Sequence, residues 1–517
     1  MTKIITAARA AEMIEDRDTV AISGNGAGML EPSALIGSLA ERFRASSRPR
    51  DLTLIHAGGM GDRKNRGLSP LAQKGLLRRI IGGYWATSPA LCQMALQNEI
   101  AAYNLPMGVI SRLYRTAAAG LPGLISRAGL HTFVDPRLSG GKLNPAAEAD
   151  LVRLTKIDSE EYLFYTATVP DVCFIRAGAA DENGYLSMDD EVASFDVLDM
   201  AMAAHNRGGL VIAQVGRVLP AGSIHPEDAV VPGYLVDALV VAEGQEPFYG
   251  AAANPVFISG DKRYTGAIEP LPLDQRKIIA RRAFQELHPG SIAAVGVGVA
   301  DGIAYIANEE GVDEQITLIT DTGISGGISL RGDYFGAVFN HRAVIPMPAQ
   351  FDFFEGGGAD LCFLGFGEFD ALGNVNVSRL GEQLVGVGGF IEISQFSKKA
   401  VFCGTLTSGG LQTKITEGGL QIVREGKFRK CPARVAEIGY NGEFAQAEGR
   451  TTLFITERAV FRLSDSGITL CEYAAGMDIE KDILANMDFQ PGISPQLKEM
   501  DRRLFFQGNM GLQNMRG

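Results

Sequence analysis

Two segments of the chain share a sequence pattern, and this repeat limits the folds that the sequence can adopt. The run DVCFIRAGAADENG begins at Asp171, and the run DLCFLGFGEFDALG begins at Asp360. Asp, Cys, Phe, Gly, Asp and Gly occupy matching positions in the two runs. The rhythm of any α/β protein produces chance matches, but six identities in fourteen positions favour a true repeat. We therefore predict two related structural units.

A second pair of matching segments follows the same order along the chain. Gly24-Asn25-Gly26 comes after TVAIS, and Gly296-Val297-Gly298 comes after SIAAV. Pro270 and the proline and charged residues that follow it mark a boundary. We predict an amino-terminal half over residues 1–270 and a carboxyl-terminal half over residues 271–517, with a functional site between them.

Apolar runs of strand length alternate with helical stretches along most of the sequence. DTVAISGNG, LTLIHAGG and GGLVIAQV are typical of buried strands, whereas PSALIGSLAERF and QRKIIARRAFQEL have helical character. This alternation predicts the α/β class. We expect two open domains of mostly parallel sheet covered by helices.

Charge and hydropathy exclude several classes of function. The chain has 48 basic and 60 acidic side chains, and its net charge of −12 disfavours nucleic acid and anionic membrane surfaces as partners. No apolar run approaches the length of a membrane span, and the first twenty residues carry acidic side chains where a signal peptide is apolar. We expect a cytoplasmic protein.

Cysteine and histidine spacing gives no sign of a metal site or of disulfides. The six cysteines lie far apart in apolar sequence without a CxxC pair, which predicts buried thiols. The six histidines are also scattered, and none forms an HxxxH or HxH pair. We therefore expect no metal.

Glycine-rich turns follow two of the predicted strands. Gly24 and Gly26 in the first turn, and Gly296 and Gly298 in the second, lack the GxGxxG spacing of dinucleotide-binding proteins. Tight turns are the simpler interpretation. Such turns also present backbone N–H groups to phosphates, so the four glycines are candidate ligand-binding positions.

One carboxylate stands out at the end of a predicted strand. Asp321 follows the apolar run that ends at Ile319 and precedes Gly323, where it can act as a nucleophile or a base. A local turn-capping role is equally compatible with this position. The nearby GxSxG match around Ser325 does not predict a serine hydrolase, because no suitable histidine follows it after His341.

A glycine cluster interrupts a hydrophobic segment near residue 388. Gly386, Gly388 and Gly389 would let backbone N–H groups approach a ligand oxygen, as an oxyanion hole requires. A bulge or a close strand crossing is the structural alternative.

Taken together, long runs in both halves resemble the family I CoA-transferases whose two subunits are fused into one chain, the acetate and propionate CoA-transferases. The runs that carry this resemblance are AYNLPMGVISRLYR from Ala102, GLHTFVDPRLSGGKLN from Gly129, AAHNRGGLVIAQVGRVLPAGS from Ala203, QFDFFEGGGADLCFLGFGEFDALGNVNVSRL from Gln350, VGGFIEISQFSKKAVFCGT from Val387 and RTTLFITERAVFRL from Arg450.

The resemblance implies a ping-pong reaction in which an active-site glutamate attacks an acyl-CoA thioester and becomes an enzyme-CoA thioester. It places Asp321 in the nucleophile slot, within TLITDTG, and the oxyanion-hole glycines at Gly386, Gly388 and Gly389, with Gly388 as the best single candidate. It implies acyl-CoA and a small carboxylate as substrates, coenzyme A as the co-substrate, no tightly bound cofactor, a role in short-chain fatty acid metabolism, and a homo-oligomer.

Three residues depart from the family pattern where chemistry is expected. Asp321 replaces a Glu, Met107 replaces the Gln of NLPQG, and Tyr84 replaces the His of GGHWG. An Asp carboxylate is drawn back by about 1.5 Å relative to Glu. A displacement of this size can lower a rate by about 100-fold. Met107 makes the acyl pocket more apolar, which favours larger or more hydrophobic acyl groups.

Three functions remain open at this point. The first is CoA transfer through Asp321. The second is thioester hydrolysis, in which Asp321 activates a water that fills the space left by the shorter side chain, with Gly388 stabilising the oxyanion. The third is CoA binding without turnover.

Overall fold

The computed structural model describes residues 3–251, 256, 258 and 264–512. The chain divides into two compact units. The first comprises Met1–Arg263, Val344–Phe351 and Gln383–Gly389, and the second comprises Tyr264–Ala343, Asp352–Glu382 and Phe390–Gly517. Two short segments from the second half of the sequence thus belong to the first unit.

Each unit is built around one large sheet with helices between its strands. The strands before residue 264 are β1 Lys3–Ile4, β2 Thr19–Ile22, β3 Leu52–His56, β4 Leu77–Gly82, β5 Ala101–Asn104, β6 Gly123–Ser126, β7 Val152–Ile157, β8 Glu160–Thr166, β9 Val172–Asp181, β10 Leu186–Ser187, β11 Leu210–Leu219, β12 Ala229–Val231 and β13 Ala238–Val241.

The strands after residue 264 include several short hairpins. They are β14 Ile292–Val295, β15 Thr317–Ile319, β16 Ile324–Ser325, β17 Ile328–Ser329, β18 Val338–Phe339, β19 Ala343–Val344, β20 Leu361–Gly365, β21 Glu368–Phe369, β22 Val375–Asn376, β23 Arg379–Leu380, β24 Gln383–Leu384, β25 Lys399–Cys403, β26 Thr407–Ser408, β27 Gln412–Thr416, β28 Gly419–Arg424, β29 Phe428–Arg429, β30 Thr451–Ile455, β31 Ala459–Ser464, β32 Gly467–Tyr473 and β33 Gly492–Glu499.

The α-helices are mostly short. They are α1 Ala7–Glu12, α2 Ser33–Ser46, α3 Pro89–Leu96, α4 Met107–Ala118, α5 Val197–His205, α6 Gln275–Phe284, α7 Gly302–Glu310, α8 Met347–Glu355, α9 Phe390–Phe396 and α10 Gly442–Ala447. In the ranges that the structure describes, no helix is both long and apolar enough to cross a membrane.

The two large sheets confirm the predicted α/β class. In the first unit the main strands run in the order β1-β13-β11-β9-β2-β3-β4-β5, and all neighbouring pairs are parallel. In the second unit the order is β19-β16-β15-β14-β20-β25-β30-β31-β32-β33, and β15, β14, β20, β25 and β30 are parallel. Parallel strands are buried on both faces, which is why these segments read as continuous apolar runs.

The repeated sequence pattern makes the same contacts in both units. A carboxylate oxygen of Asp171, just before β9, accepts the N–H of Thr19 at 2.8 Å, at the start of β2. A carboxylate oxygen of Asp360, just before β20, accepts the N–H of Ile292 at 3.0 Å, at the start of β14. The repeated Asp thus ties together the two central strands of each sheet at their amino ends.

Apolar side chains from these strands and helices form a separate core in each unit. The first includes Val20, Leu35 and Ile80, and the second includes Ile279 and Phe363. Five of the six cysteines are buried free thiols, and Cys471 is partly buried.

Candidate active site

Asp321 lies immediately beyond the carboxyl end of β15, in the tight turn that leads into β16. The N–H of Thr320 donates to the carbonyl of Ile324 at 3.0 Å, and the N–H of Gly323 donates to the carbonyl of Thr320 at 3.3 Å. Gly323 has a φ of 92°, a conformation that glycine adopts without strain. The sequence TLITDTG therefore places the carboxylate at the edge of a parallel sheet where ligands commonly bind.

Hydroxyl groups on both sides of Asp321 hold the turn in place. The Oγ1 atoms of Thr320 and Thr322 lie 2.7 Å apart, and the Thr322 hydroxyl donates to the carbonyl of Gly336 at 3.2 Å. Both threonines are buried, whereas Asp321 between them is only partly buried. The turn is thus fixed by its flanking side chains, which leaves the carboxylate for other contacts.

The environment of Asp321 makes its carboxylate more basic than usual. Burial raises the pKa of this carboxyl from 3.8 to about 6, and the backbone N–H groups of Asp321 and Thr322 oppose the rise. A carboxylate with this pKa is still mainly ionised at neutral pH, and its higher basicity suits both nucleophilic attack and general-base catalysis.

Strand β14 is the neighbour of β15 in the sheet, so the turn after β14 lies at the same edge as Asp321. The backbone N–H groups of the two glycines in this turn already have acceptors. The N–H of Gly296 donates to the carbonyl of Phe363 at 2.9 Å, and the N–H of Gly298 donates to a carboxylate oxygen of Asp301 at 3.4 Å. A β-carbon at Gly298 would meet no atom within 4 Å. This turn therefore offers open space, while its two glycine amides already have acceptors.

A cation lies at the same sheet edge as Asp321 in the second unit. The Nζ atom of Lys430 is 3.9 Å from the centroid of the Phe366 ring, just after β20, and lies next to Gly404, just after β25. Burial lowers the pKa of this ammonium to about 8, and the nearby carboxylates of Glu457 and Glu368 partly oppose this change. No sequence motif pointed to Lys430, because the chain folds back from β29 to bring it there.

The glycine cluster belongs to the first unit, where it contacts the ends of β4 and β5. The N–H of Gly388 donates to the carbonyl of Gly83 at 2.8 Å, and the carbonyl of Gly388 accepts the N–H of Met107 at 2.9 Å. The N–H of Gly388, which the sequence indicated as the best oxyanion-hole donor, therefore already has an acceptor. By contrast, the N–H of Gly389 has no acceptor among the described residues.

Asn104 holds the two loops of this glycine site together. It is fully buried, and its Nδ2 donates to the carbonyls of Gly82 and Gly83 at 2.8 and 2.7 Å. Its Oδ1 accepts the N–H of Val387 at 3.0 Å. Sequence reasoning did not single out Asn104, although a polar residue ending an apolar strand just before Pro106 was a usable signal.

Two of the three residues that depart from the family pattern, Tyr84 and Met107, lie against this loop. The ring of Tyr84 is half-buried and would lie 3.6 Å from a β-carbon at Gly388. Burial raises the pKa of the Tyr84 hydroxyl, with Arg63 opposing the rise. The Met107 side chain is only 2% exposed at the start of α4. Gly386 has a φ of 85°, and a β-carbon there would lie 2.8 Å from the backbone nitrogen of Trp85.

The turn after β2 holds the remaining predicted ligand-binding glycines. The N–H of Gly26 donates to the side chain of its neighbour Asn25 at 2.9 Å, and its carbonyl accepts the N–H of Gly61 at 3.1 Å. Gly24 packs against Met60, whose sulfur would lie 2.6 Å from an added β-carbon. Both glycines shape a close-packed turn, and the amide of Gly26 has an internal acceptor.

Comparison with known proteins shows which family this chain belongs to. A model of the coenzyme A transferase family matches residues 4–242. Acetate CoA-transferase YdiF of Escherichia coli K12 is 47% identical over 509 residues, which cover 98% of this chain and 96% of YdiF. The chain belongs to the coenzyme A transferase family. The caffeate CoA-transferase of Acetobacterium woodii is 39% identical over 526 residues and covers both chains completely.

Solved structures of this family extend the match to three dimensions. The apoenzyme of the YdiF acyl-CoA transferase from Escherichia coli O157:H7 is 46% identical and aligns with a TM-score of 0.95 over 99% of this chain and 97% of its own. A thioester complex of the same enzyme with CoA aligns equally well. These relatives confirm the resemblance to family I CoA-transferases, for which coenzyme A is a co-substrate.

Proposed function

We propose that this protein is an acyl-CoA:carboxylate CoA-transferase that works through the carboxylate of Asp321. The position of Asp321 carries the proposal: it is a carboxylate of raised pKa, held in a rigid turn at the carboxyl edge of a parallel sheet. The full-length similarity to CoA-transferases, including one solved as a thioester complex with CoA, supports it.

The proposed reaction consists of two half-reactions, and each of them has two displacement steps. A carboxylate oxygen of Asp321 attacks the thioester carbon, the carbon–sulfur bond breaks, and CoA leaves as the thiolate. The thiolate then attacks the Asp321 carbonyl of the resulting anhydride and releases the acyl group as a free carboxylate. A second carboxylate reverses both steps and leaves as the new acyl-CoA. No proton is consumed overall.

The developing oxyanion needs a backbone donor, and we assign this role to the glycine loop. Gly388 is a weaker choice than the sequence indicated, because its N–H already donates to Gly83. We propose the N–H of Gly389 as the main donor and the bonded Gly388 as the residue that orients it. Removing one such donor typically lowers kcat by about 100-fold to 1,000-fold.

The acyl group is proposed to be small or moderately sized and apolar. The buried thioether of Met107 supplies no hydrogen-bonding group where the family pattern has an amide. The relatives transfer CoA to or from acetate and caffeate according to their names, so the family accommodates acids of different size. A carboxylate with an apolar body is the acceptor class that fits Met107 best.

Intact-mass measurement after incubation with propionyl-CoA tests the proposal directly. The wild-type protein should gain the mass of CoA minus water, the adduct should map to Asp321, and the Asp321→Asn variant should show no adduct. Asp465→Asn, a change at an exposed turn carboxylate, is the matched control and should retain the adduct. Free CoA released without any acceptor, and without an adduct, would instead establish hydrolysis.

The Asp321→Glu variant tests the effect of side-chain length. If the shorter Asp limits attack on the thioester, the added methylene should increase the rate of adduct formation. Complete loss of activity in this variant, with CoA binding intact, would show that the site is shaped around Asp and would contradict the retraction argument.

A further inference from the structure

The first unit contains a polar cavity that the proposed reaction does not use. It has a volume of about 400 Å³, and its walls include Gly28 after β2, Ile36 and Gly37 of α2, Arg66, and Tyr249. It lies just beyond the carboxyl end of β2, alongside Arg176 in the middle of β9, the neighbouring strand. From β2 the strand order continues through β3, β4 and β5, and from β9 it runs the other way through β11 and β13. Ligands bind preferentially where the strand order reverses in this manner.

The floor of this cavity is a closed network of buried charges. The Nε atom of Arg176 donates to Glu191 at 2.7 Å, and both side chains are at most 3% exposed. Arg176 also donates to the carbonyl of Glu246 at 2.7 Å. Glu31 is 2% exposed and accepts a hydrogen bond from the hydroxyl of Tyr249. These groups satisfy one another and give the cavity a fixed shape.

Arg66 is the cation that a ligand can still reach. Its guanidinium lies over the ring of Tyr249, with Cζ 4.8 Å from the ring centroid. No carboxylate of the described residues lies within 4.0 Å of it. Stacking on an aromatic ring holds a guanidinium plane in position and leaves the N–H groups at its edge for a planar anion. A carboxylate matches that edge with two parallel hydrogen bonds.

We propose that this cavity is a binding site for a small organic carboxylate, with the carboxylate on the Arg66 guanidinium and the apolar body against Ile36 and Pro70. The site uses none of the residues assigned to CoA transfer. A carboxylate is favoured over a larger phosphate ester because the other cavity cation, Arg176, is already paired with Glu191.

Glu31 gives this site a characteristic pH dependence. Burial raises its pKa to about 7, while Tyr249, Arg176 and Arg66 lower it and Asp62 raises it further. A bound anion beside Glu31 favours the protonated, neutral form of this side chain. Affinity for the carboxylate should therefore be highest below pH 7 and should fall as the pH rises through 7.

Calorimetric titration of the full-length protein with sodium propionate, without CoA, tests the site. Arg66→Gln removes the proposed partner and should weaken binding at this site at least tenfold. Arg44→Gln removes an exposed arginine from the last turn of α2 and is the matched control for the change in charge, so it should bind as the wild type does.

A second variant tests the cavity without changing any charge. A β-carbon at Gly37 would meet no atom within 4 Å, so Gly37→Leu extends into open space from a helical position that tolerates leucine. It should weaken propionate binding at least tenfold, whereas Gly37→Ala should weaken it much less. Unchanged affinity in both Arg66→Gln and Gly37→Leu would overturn the proposal, as would inorganic phosphate binding more tightly than propionate.

Discussion

The two units share their amino-terminal sheet edge but differ at the carboxyl edge. Asp171 and Asp360 make equivalent bonds to the strands beside them. At the opposite edge, β3 next to β2 ends in His56, whereas β15 next to β14 leads to Asp321. His56 is buried, its Nδ1 lies 2.8 Å from the carbonyl of Gly58, and burial lowers its pKa to about 4.

Burial raises the pKa of Asp321 and lowers the pKa of His56, and this difference agrees with the role that we propose for Asp321. A buried imidazole with a pKa of about 4 is neutral at physiological pH and serves the packing of the first unit. A partly buried carboxylate with a pKa of about 6 remains mainly charged at neutral pH, as the nucleophile that we propose must be. The two units thus share the hydrogen bonds at the amino edge of their sheets and differ in the residues at the carboxyl edge, where we propose that the reaction takes place.

The largest expected effect comes from removing the proposed nucleophile of the second unit. Asp321→Asn keeps the size of the side chain but removes its nucleophilic oxygen, so the rate of CoA transfer from propionyl-CoA to acetate should fall at least about 1,000-fold. His56→Gln at the corresponding strand end of the first unit should lower the rate far less. Equal losses in the two variants would break the comparison.

The pH dependence of kcat/KM should follow the ionisation of the Asp321 carboxylate and not that of the His56 imidazole. Only the ionised form of the proposed nucleophile Asp321 can attack a thioester, so kcat/KM should fall by about tenfold per pH unit below 6 and level off above it. Because the folded-state pKa is raised above 3.8, the stabilising contribution of this group is greatest below pH 3.8 and is lost as the pH rises through 6. Asp321→Asn should therefore raise Tm relative to the wild type above pH 6. A pH profile of kcat/KM with its midpoint near pH 4 would contradict the assignment of Asp321 as the nucleophile.

A moderate effect is expected where the glycine loop is anchored. Asn104→Ala removes one donor from each of the carbonyls of Gly82 and Gly83 and leaves the N–H of Val387 without its acceptor, which should cost about 1–3 kcal/mol in urea unfolding. It should also lower kcat, because the loop carries the proposed oxyanion donor.

Asn144 offers a matched control, since it too makes three bonds to backbone groups in the first unit. Asn144→Ala should lower the free energy of unfolding by a similar amount while leaving kcat close to that of the wild type. A loss of kcat equal to that of Asn104→Ala would mean that the effect reports stability alone.

The smallest expected effect concerns the hydrogen bond that the repeated Asp makes at the amino end of each large sheet. Asp171→Ala and Asp360→Ala each remove the hydrogen bond to the start of a central strand, which should cost about 1 kcal/mol in urea unfolding. Asp360→Ala also removes an exposed ion pair with Lys398 at 2.8 Å, and exposed pairs of this kind contribute at most about 1 kcal/mol. Because the backbone bonds are equivalent, the two costs should agree within a factor of two when Asp360→Ala is compared in a Lys398→Ala background, where its ion pair is already absent. A much larger cost at one position would show that the two units use the repeated Asp differently.

Local sequence patterns were sufficient to predict the strands and the position of Asp321. An apolar run followed by a carboxylate and a glycine specifies a strand end and a turn through local physical preferences alone. The engagement of the Gly388 amide was not predictable, because its acceptor, Gly83, lies in a distant part of the sequence. The position of Lys430 beside Phe366 and Gly404 depends in the same way on tertiary folding.

The anchoring of Asn104 has a consequence for synthesis of the protein. Its partner Val387 is translated 283 residues later, so a nascent chain that has completed the first large sheet still lacks the segment that closes the glycine loop. Until that segment leaves the ribosome, Asn104 and the carbonyls around it must be shielded or solvated. The glycine loop should therefore close only after residue 387 has left the ribosome. A chain that ends before this residue should lack the closed loop even if its first sheet is intact.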